Sequence, residues 1–354
     1  MITLKIILYL FSFLLSLVVL LPLVKKDFWL FRVFDYPRVQ KFVLISIVLA
    51  AWFVFFNDSK LLIDWAIILF LSVTLVHLAY VIIPFTVLGK TMVDRAESSN
   101  KTPLNILVSN VYQYNDSFSK LLKLVKEAQP DIVFLLETDH KWRDAVIELR
   151  ESYPHYIEVP QDNTYGLLFY SKLPITNQEI NFLIDDEIPS IIADVTYDEQ
   201  TVRIYGLHPT PPVPKENKYS TDRDAEILMV GKMAKEYKKP CLVMGDMNDV
   251  AWSYTTKLFL KTSELLDPRR GRGMYSTFNA KQVLLRWPLD HYFLSSHFRL
   301  VKMSVEKPID SDHFPISISL IIATKDESDK MTADSEDKKL ANEKIQAGKN
   351  DTPL

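Results

Sequence analysis

The sequence predicts an α/β chain of mixed α and β elements, in which a layered domain follows three membrane-spanning helices. Three observations carry that expectation. The apolar residues, 48% of the 354, are crowded before residue 90. Between about residues 104 and 322, short apolar and β-branched runs alternate with stretches of helical periodicity, the pattern of a layered mixed domain. Beyond residue 324 the chain is almost wholly polar.

The first apolar run, residues 2–24, is interrupted only by Lys5, Pro22 and a few hydroxyl groups, and is long enough to cross a hydrocarbon core of about 30 Å. A second run covers 42–56 and a third 61–88, with Asp64 near the start of the third and Pro84 near its end. A cleaved signal peptide is the competing reading of the first run, but no small-x-small site follows it and two further apolar runs do. The loop at 25–41 carries Lys25, Lys26, Arg32, Arg38 and Lys41, against Lys60 in the second loop and Lys5 near the start. By the positive-inside rule this loop is cytoplasmic, so three crossings put the N-terminus outside and everything after residue 90 inside. The expectation is an integral protein of a plasma membrane, of the bacterial inner-membrane kind, with residues 1–90 as its anchor and 91–103 as a polar linker.

Within residues 104–322 the strand signals fall at 104–108, 132–136, 166–170, 190–197, 201–207, 241–244, 289–294 and 316–322. Helical patterns fall at 117–128, 221–237 and 254–262. Residues 323–354 lack aromatic side chains and a core-forming pattern, and read as a disordered polar tail. The one cysteine, Cys241, lies in a predicted buried strand, which excludes an intramolecular disulfide and a cysteine-based zinc cluster.

Several strand ends carry polar groups that a strand does not need. Gly245-Asp246-Met247-Asn248 closes an apolar strand. Gly245 permits a tight turn, and Asp246 and Asn248, two residues apart, share a face and can converge on a hard cation or a phosphate, although an ordinary turn uses the same residues. Glu137, directly after five apolar residues, is either a solvent exit or a metal ligand. Asn110 closes the first strand, and His208 ends another before the rigid Pro209-Thr210-Pro211-Pro212. Asp290 lies on an otherwise apolar strand and needs a partner if buried. Ser311-Asp312-His313-Phe314-Pro315 offers one in His313.

Gln129-Pro130-Asp131 through Glu137, Gly245-Asp246-Met247-Asn248, Leu289-Asp290-His291 and Ser311-Asp312-His313-Phe314-Pro315 occur in this order over about three fifths of the chain. Together they resemble the endonuclease/exonuclease/phosphatase superfamily, which includes pancreatic-type deoxyribonucleases, apurinic endonucleases, neutral sphingomyelinases and inositol polyphosphate 5-phosphatases. The resemblance implies a four-layered sandwich of two mixed β-sheets flanked by helices, with a hydrolytic site at one edge. It implies Glu137, Asp312 and Asn110 as metal-site residues, with Asn110 as ligand or phosphate contact. Asp246 and Asn248 would orient water and hold the phosphate, His313 would be the acid/base group oriented by Asp290, and His208 would be a second phosphate-facing histidine. The implied cofactor is Mg²⁺, with Mn²⁺ as a substitute. Leu136 stands where the family often has glutamine.

The implied activity is hydrolysis of a phosphodiester, with nucleic acid favoured over lipid as the partner. The alternatives are a lipid or head-group phosphodiesterase or phosphatase, and an inactive phosphate-binding module on a membrane anchor. Between residues 101 and 322 there are 26 Lys and Arg against 30 Asp and Glu, a balance of −4 that is not a nucleic-acid footprint. The local exception is Arg269-Arg270-Gly271-Arg272-Gly273, with Lys281 and Arg286 nearby, which could line a phosphate path or form a solvated loop.

Overall fold

A computed structural model describes residues 2–55, 61–97, 101–323 and 330–353. The loop around Lys60 and most of the charged run after Thr324 lie outside the described residues. Ten helices are α1 (Ile2–Leu20), α2 (Trp29–Arg32), α3 (Arg38–Phe55), α4 (Leu62–Ile82), α5 (Phe118–Ala128), α6 (His140–Ala145), α7 (Leu149–Ser152), α8 (Thr221–Tyr237), α9 (Tyr254–Ser263) and α10 (Ser335–Lys349). The strands are β1 (Leu104–Asn110), β2 (Ile132–Leu136), β3 (His155–Val159), β4 (Leu167–Ser171), β5 (Ile175–Asn181), β6 (Ser190–Tyr197), β7 (Gln200–Leu207), β8 (Cys241–Asp246), β9 (Asp290–Leu294), β10 (Phe298–Val305) and β11 (Ile316–Ile322).

The strands form a six-stranded sheet, ordered β10-β11-β1-β2-β4-β3, and a five-stranded sheet, ordered β5-β6-β7-β8-β9. Each is mixed, with one central parallel pair, β1 with β2 and β7 with β8. Side chains alternate across each sheet with the two-residue period of extended chain. Ile106, Val108 and Phe134 of one sheet meet Ile204, Leu242 and Met244 of the other, while Leu107 and Val133 face α5 and Val243 and Phe293 face α8 and α9. The result is helices, sheet, sheet, helices, as expected. Sheet contact is close enough that a Cβ on Gly206 would lie 2.7 Å from the Phe134 ring.

Three strands had no sequence signal, β3, β5 and β10, and all three are sheet edges. β3 and β5 have no strand on one flank and β10 is met on its outer flank only by a short bridge at Leu300, so residues such as those of β5 remain mostly exposed and polar, and no apolar run marks them.

The three helices α1, α3 and α4 are long and apolar enough to cross a membrane. Leu15, Leu49, Trp52 and Leu71 pack between them, while Phe13, Val54 and Val76 point outward. Asp64 at the start of α4 accepts from Lys5 Nζ at 2.7 Å and from the Leu61 amide at 2.8 Å.

The N-terminal helical segment is not detached from the rest of the chain. Trp29 N donates to Lys218 O and Ser220 N to Asp27 O, both at 2.9 Å, so the loop after α1 runs along the chain leading into α8. Residues 91–97, predicted as linker, bury Met92 and Val93 and pair with the edge of β10 through Ala96 N to Leu300 O at 2.9 Å. The basic run after Pro268 forms a docking seam and not a phosphate path. Arg269 is buried on Asp267, Gly271 N donates to Pro84 O at 2.8 Å, and Arg272 donates to Pro268 O.

The tail departs most from expectation. In place of disorder, residues 335–349 form α10, started by Asp334, whose side chain accepts from Asp337 N. Ala341, Ile345 and Ala347 are buried, as is Lys344, whose Nζ lies 2.6 Å from Asp27 and 2.9 Å from Asp224. The stabilisation comes from an ion pair with distant residues and from an apolar stripe only three residues wide, neither of which composition registers. Replacing Lys344 by Met takes the cation from buried Asp27 and leaves Asp224 with Arg223 alone, and should cost about 3–5 kcal/mol. Denaturant melting of the detergent-solubilised protein measures this, and a wild-type midpoint would show that α10 contributes nothing to the packed domain.

Candidate active site

Strand register assembles the site. Asn110 pairs with Leu136, so the next residue, Glu137, emerges beside it at the C-terminal end of the β1–β2 pair. In the other sheet Leu207 pairs with Gly245 and Asp246 with Asp290, which brings His208, Asp246 and Asp290 to one edge. β11 runs antiparallel to β1, with Ile316 opposite Val108, so Asp312 and His313 arrive at the same edge from the opposite direction. Gly245 has φ +136°, and a Cβ there would lie 2.0 Å from Leu207 O, so this close approach of β7 and β8 requires glycine. Glu137 and Asn248 hold left-handed backbone at φ 58° and 49°, a local cost carried at the residues that leave the sheets.

His313 is the hub. Its Nδ1 lies 2.8 Å from Asp290 Oδ2 and its Nε2 3.4 Å from Asp246 Oδ2, in a buried setting. Burial alone would discharge the ring, but the charges of Asp290 and Asp246 outweigh it and raise its pKa to about 10. Asp246, Asp290 and His313 also present atoms within 4.8 Å of one another, a spacing that could hold a cation. Both ring nitrogens already face carboxylates, so a cation there would have to displace the charged ring.

Asn110 donates through Nδ2 to Glu137 Oε1 at 2.8 Å and to Asp246 Oδ2 at 3.1 Å, while its oxygen accepts from Tyr112 N. It therefore meets Glu137 with a donor, which fits a positioning or phosphate-contacting role better than ligation. Burial raises Glu137 to about 7; Asn110 and His313 oppose the rise, and the charges of Asp312 and Asp246 add to it. His208 Nε2 is 3.9 Å from Asp246, its Nδ1 has no hydrogen-bond partner, and burial lowers its pKa to about 4, so it is neutral at physiological pH. Asn248 N donates to Asp246 Oδ1 at 2.9 Å and Asn248 Nδ2 to Pro209 O at 2.9 Å, which fixes the turn after β8. Glu137, His208, Asp246, Asn248, Asp312 and His313 all line one cavity of about 530 Å³. Asn110 and Asp290 stand behind it.

Sequence reading did not find Tyr36 and Arg223, which both donate to Asn248 O, at 2.9 and 2.7 Å. Tyr36 comes from the anchor loop, 212 residues away, and nothing local marks it. The signal at Arg223 was a cation between Asp222 and Asp224 in the first turn of a helix. Gln113, which spans from Glu137 Oε2 to Thr164 N, was likewise unmarked. His291 is a core residue: Arg269 donates to its Nδ1 at 2.6 Å, and its Nε2 faces Asp249 O at 2.8 Å.

The model of the Endonuclease/Exonuclease/phosphatase family matches residues 104–313. Among solved structures the chain is similar to a humanized D. rerio TDP2 carrying 14 mutations, at 17% identity over 62% of this chain and 99% of that one, with a TM-score of 0.53. D. rerio TDP2 complexed with single strand DNA product gives 16%, 62%, 99% and 0.52. An endonuclease/exonuclease/phosphatase family protein of Bacteroides thetaiotaomicron gives 17%, 64%, 100% and 0.50. At such identities the likeness is one of fold. No curated protein matches the chain by sequence.

The His313–Asp290 pair yields a direct test. Asp290→Asn keeps shape and a hydrogen bond but removes the anion that favours the charged ring, so the His313 pKa should drop from about 10 by about 1–3 pH units. Imidazole NMR of the metal-free protein reads this, and an unmoved titration would assign the raised pKa to other groups.

Proposed function

The chain belongs to the Endonuclease/Exonuclease/phosphatase family, and on that footing we propose that it is a membrane-anchored, divalent-metal-dependent hydrolase of phosphodiester bonds. The observation that carries this reading is the His313 bridge between Asp290 and Asp246, set in the cavity that Glu137 and Asp312 also line. A binding module needs no buried imidazolium held between two carboxylates.

The donor set suits a hard cation. Glu137, Asp246 and Asp312 bring carboxylate oxygens to one cavity, and burial, with the charges of Asp312 and Asp246 added, raises the Glu137 carboxyl. Glu137 and Asp312 would hold Mg²⁺ or Mn²⁺, which when bound neutralises charge on the phosphate oxygens. Asp246, with an oxygen facing His313, is placed to accept a proton from the attacking water, and the Asn248 turn holds it there. His313, protonated at neutral pH, gives a proton to the departing oxygen and regains one from Asp246, which returns to its carboxylate form. Asp290 fixes the ring and stabilises its charge, acting as a positioning residue. Neutral His208 can donate one hydrogen bond to a phosphate oxygen. Asn110 ties Glu137 to Asp246 and keeps them from drifting apart.

The three apolar helices support integral membrane attachment. The 25–41 loop packs on the catalytic domain, which supports placing both on one side of the membrane, and the Lys and Arg of that loop favour the cytoplasmic side.

Two experiments test the reading. His313→Ala and Asp246→Ala should each lower turnover of bis(p-nitrophenyl) phosphate by about 10²–10⁴-fold, and full activity in either removes the role assigned to it. Metal binding should compete with a proton. Because Glu137 is raised from 4.5 to about 7, metal-free stability falls as pH rises through that window, where the buried carboxylate is forced to ionise. Added Mg²⁺ should therefore raise the melting temperature strongly at pH 8 and little at pH 6. Glu137→Gln should melt higher than wild type without metal at pH 8 and ignore Mg²⁺. A pH-independent metal shift in wild type would place the ion elsewhere.

A further inference from the structure

The cavity has two chemically different halves. One end holds the carboxylates and His313, and the rest is mostly apolar, built partly by the segment between α1 and α3. Val33, Phe34 and Pro37, from the loop between the first two spanning helices, form one wall, and Val213, Leu285 and Trp287 contribute the other. A catalytic domain acting on a soluble polyanion has no need of an active-site wall from its membrane anchor. Among the described residues that line the cavity none is Lys or Arg, and Glu216 adds a carboxylate. A nucleic-acid strand would call for a cationic track beside the aromatic side chains.

The loop behind Trp287 points the same way. Val283 and Leu284 are 78% and 81% exposed and Leu285 46%, a run of three apolar side chains at a tip. Gln40, in the first turn of α3, donates to Leu284 O at 2.7 Å, which fixes this tip beside the point where the chain enters its second spanning helix. Val87 and Leu88, just past the end of α4 on the same side, are about as exposed. Lys281 and Arg286 flank the tip. Apolar side chains flanked by cations at the start of a spanning helix are the composition of a segment lying in the bilayer interface. Leu285 belongs both to the tip and to the cavity lining, so it joins the exposed apolar tip to the site.

Resting on the hydrolase reading above, we infer that the substrate is a membrane amphiphile, a phosphoester bearing a hydrocarbon chain, with its phosphate at the His313 end and its chain along the wall shared by Val33, Phe34 and Leu285. The substrate reaches the site from the bilayer in which the anchor sits, and the hydrocarbon never crosses water.

The test uses the full chain in lipid nanodiscs and a series of alkyl p-nitrophenyl phosphates from butyl to dodecyl, whose reacting group is constant. kcat/KM should rise by at least about tenfold along the series as methylenes are buried. Val33 and Leu285 are 42% and 46% exposed, so Val33→Asp and Leu285→Asp should leave the core intact and flatten that rise. A second readout needs no turnover: dodecyl phosphate, below its micelle concentration, should protect the His313→Ala protein from melting more than inorganic phosphate does, and adding Leu285→Asp should abolish the difference. Turnover that is indifferent to chain length, or single-stranded DNA outcompeting the dodecyl ester, overturns the amphiphile assignment and leaves the hydrolase reading standing. Absence of turnover across the series with Mg²⁺ or Mn²⁺ overturns the hydrolase reading, while dodecyl phosphate protection still judges the groove by itself.

Discussion

Lys344 joins three parts of the chain that are far apart in sequence, and the arrangement of anchor and site depends on it. Its buried ammonium lies between Asp27 of the anchor loop and Asp224 of α8, and Arg223 next to Asp224 donates to the backbone of the catalytic turn at Asn248. Desolvating this many charges costs several kcal/mol per ion, so the network is weak ground for claiming net stability. What it supplies is registry. A shifted anchor loop or C-terminal helix would strand a buried charge, so one docking of anchor on domain is strongly preferred over its neighbours. That docking brings Tyr36 against Asn248 and Phe34 into the cavity wall.

The catalytic edge follows from a second constraint, the direction of the strands. Parallel pairs must end together, so the residues after β1, β2, β7 and β8 gather at matching edges of the stacked sheets. The antiparallel partners β9 and β11 begin where those pairs end, which places Asp290 and His313 among them. Five of the eight proposed site residues, Asn110, Glu137, His208, Asp246 and Asp290, are thus the last or first residue of a strand or directly follow one, and this is why they were legible in the sequence. A carboxylate directly after five apolar residues, as at Glu137, or inside an apolar run, as at Asp290, violates the local pattern and calls for a partner.

What was not legible lacked such a violation. Tyr36 is one aromatic residue among several in its loop, and its role exists only because that loop docks 212 residues away. α10 could not be read because its burial rests on one lysine meeting two distant aspartates, and a lysine in a polar segment looks like any other. The basic run at 269–272 misled in the opposite direction: a charge cluster reads as a surface, yet Arg269 is fully buried against Asp267 and His291. The edge strands β3, β5 and β10 failed for the reason that made the central strands easy, since a flank with no full strand against it relaxes the demand for apolar side chains. Single-residue anomalies were therefore readable and long-range pairings were not.

A membrane anchor that supplies part of an active-site wall changes the energetics of substrate capture. Drawing a lipid into a water-filled cleft exposes its chains at about 0.8 kcal/mol per methylene, so eight methylenes would cost about 6 kcal/mol, enough to erase micromolar binding. A wall formed by Val33, Phe34 and Leu285, continuous with the exposed tip at Val283 and Leu284, replaces water along that path with apolar contact and removes most of the cost. Such a wall works only if it stays in register with the phosphate end, and the distance between the two is set by the Tyr36 and Arg223 bonds to Asn248. The charged network around Asp224 thereby acts on the apolar half of the cavity as much as on the polar half, because it fixes where the hydrocarbon path ends relative to His313.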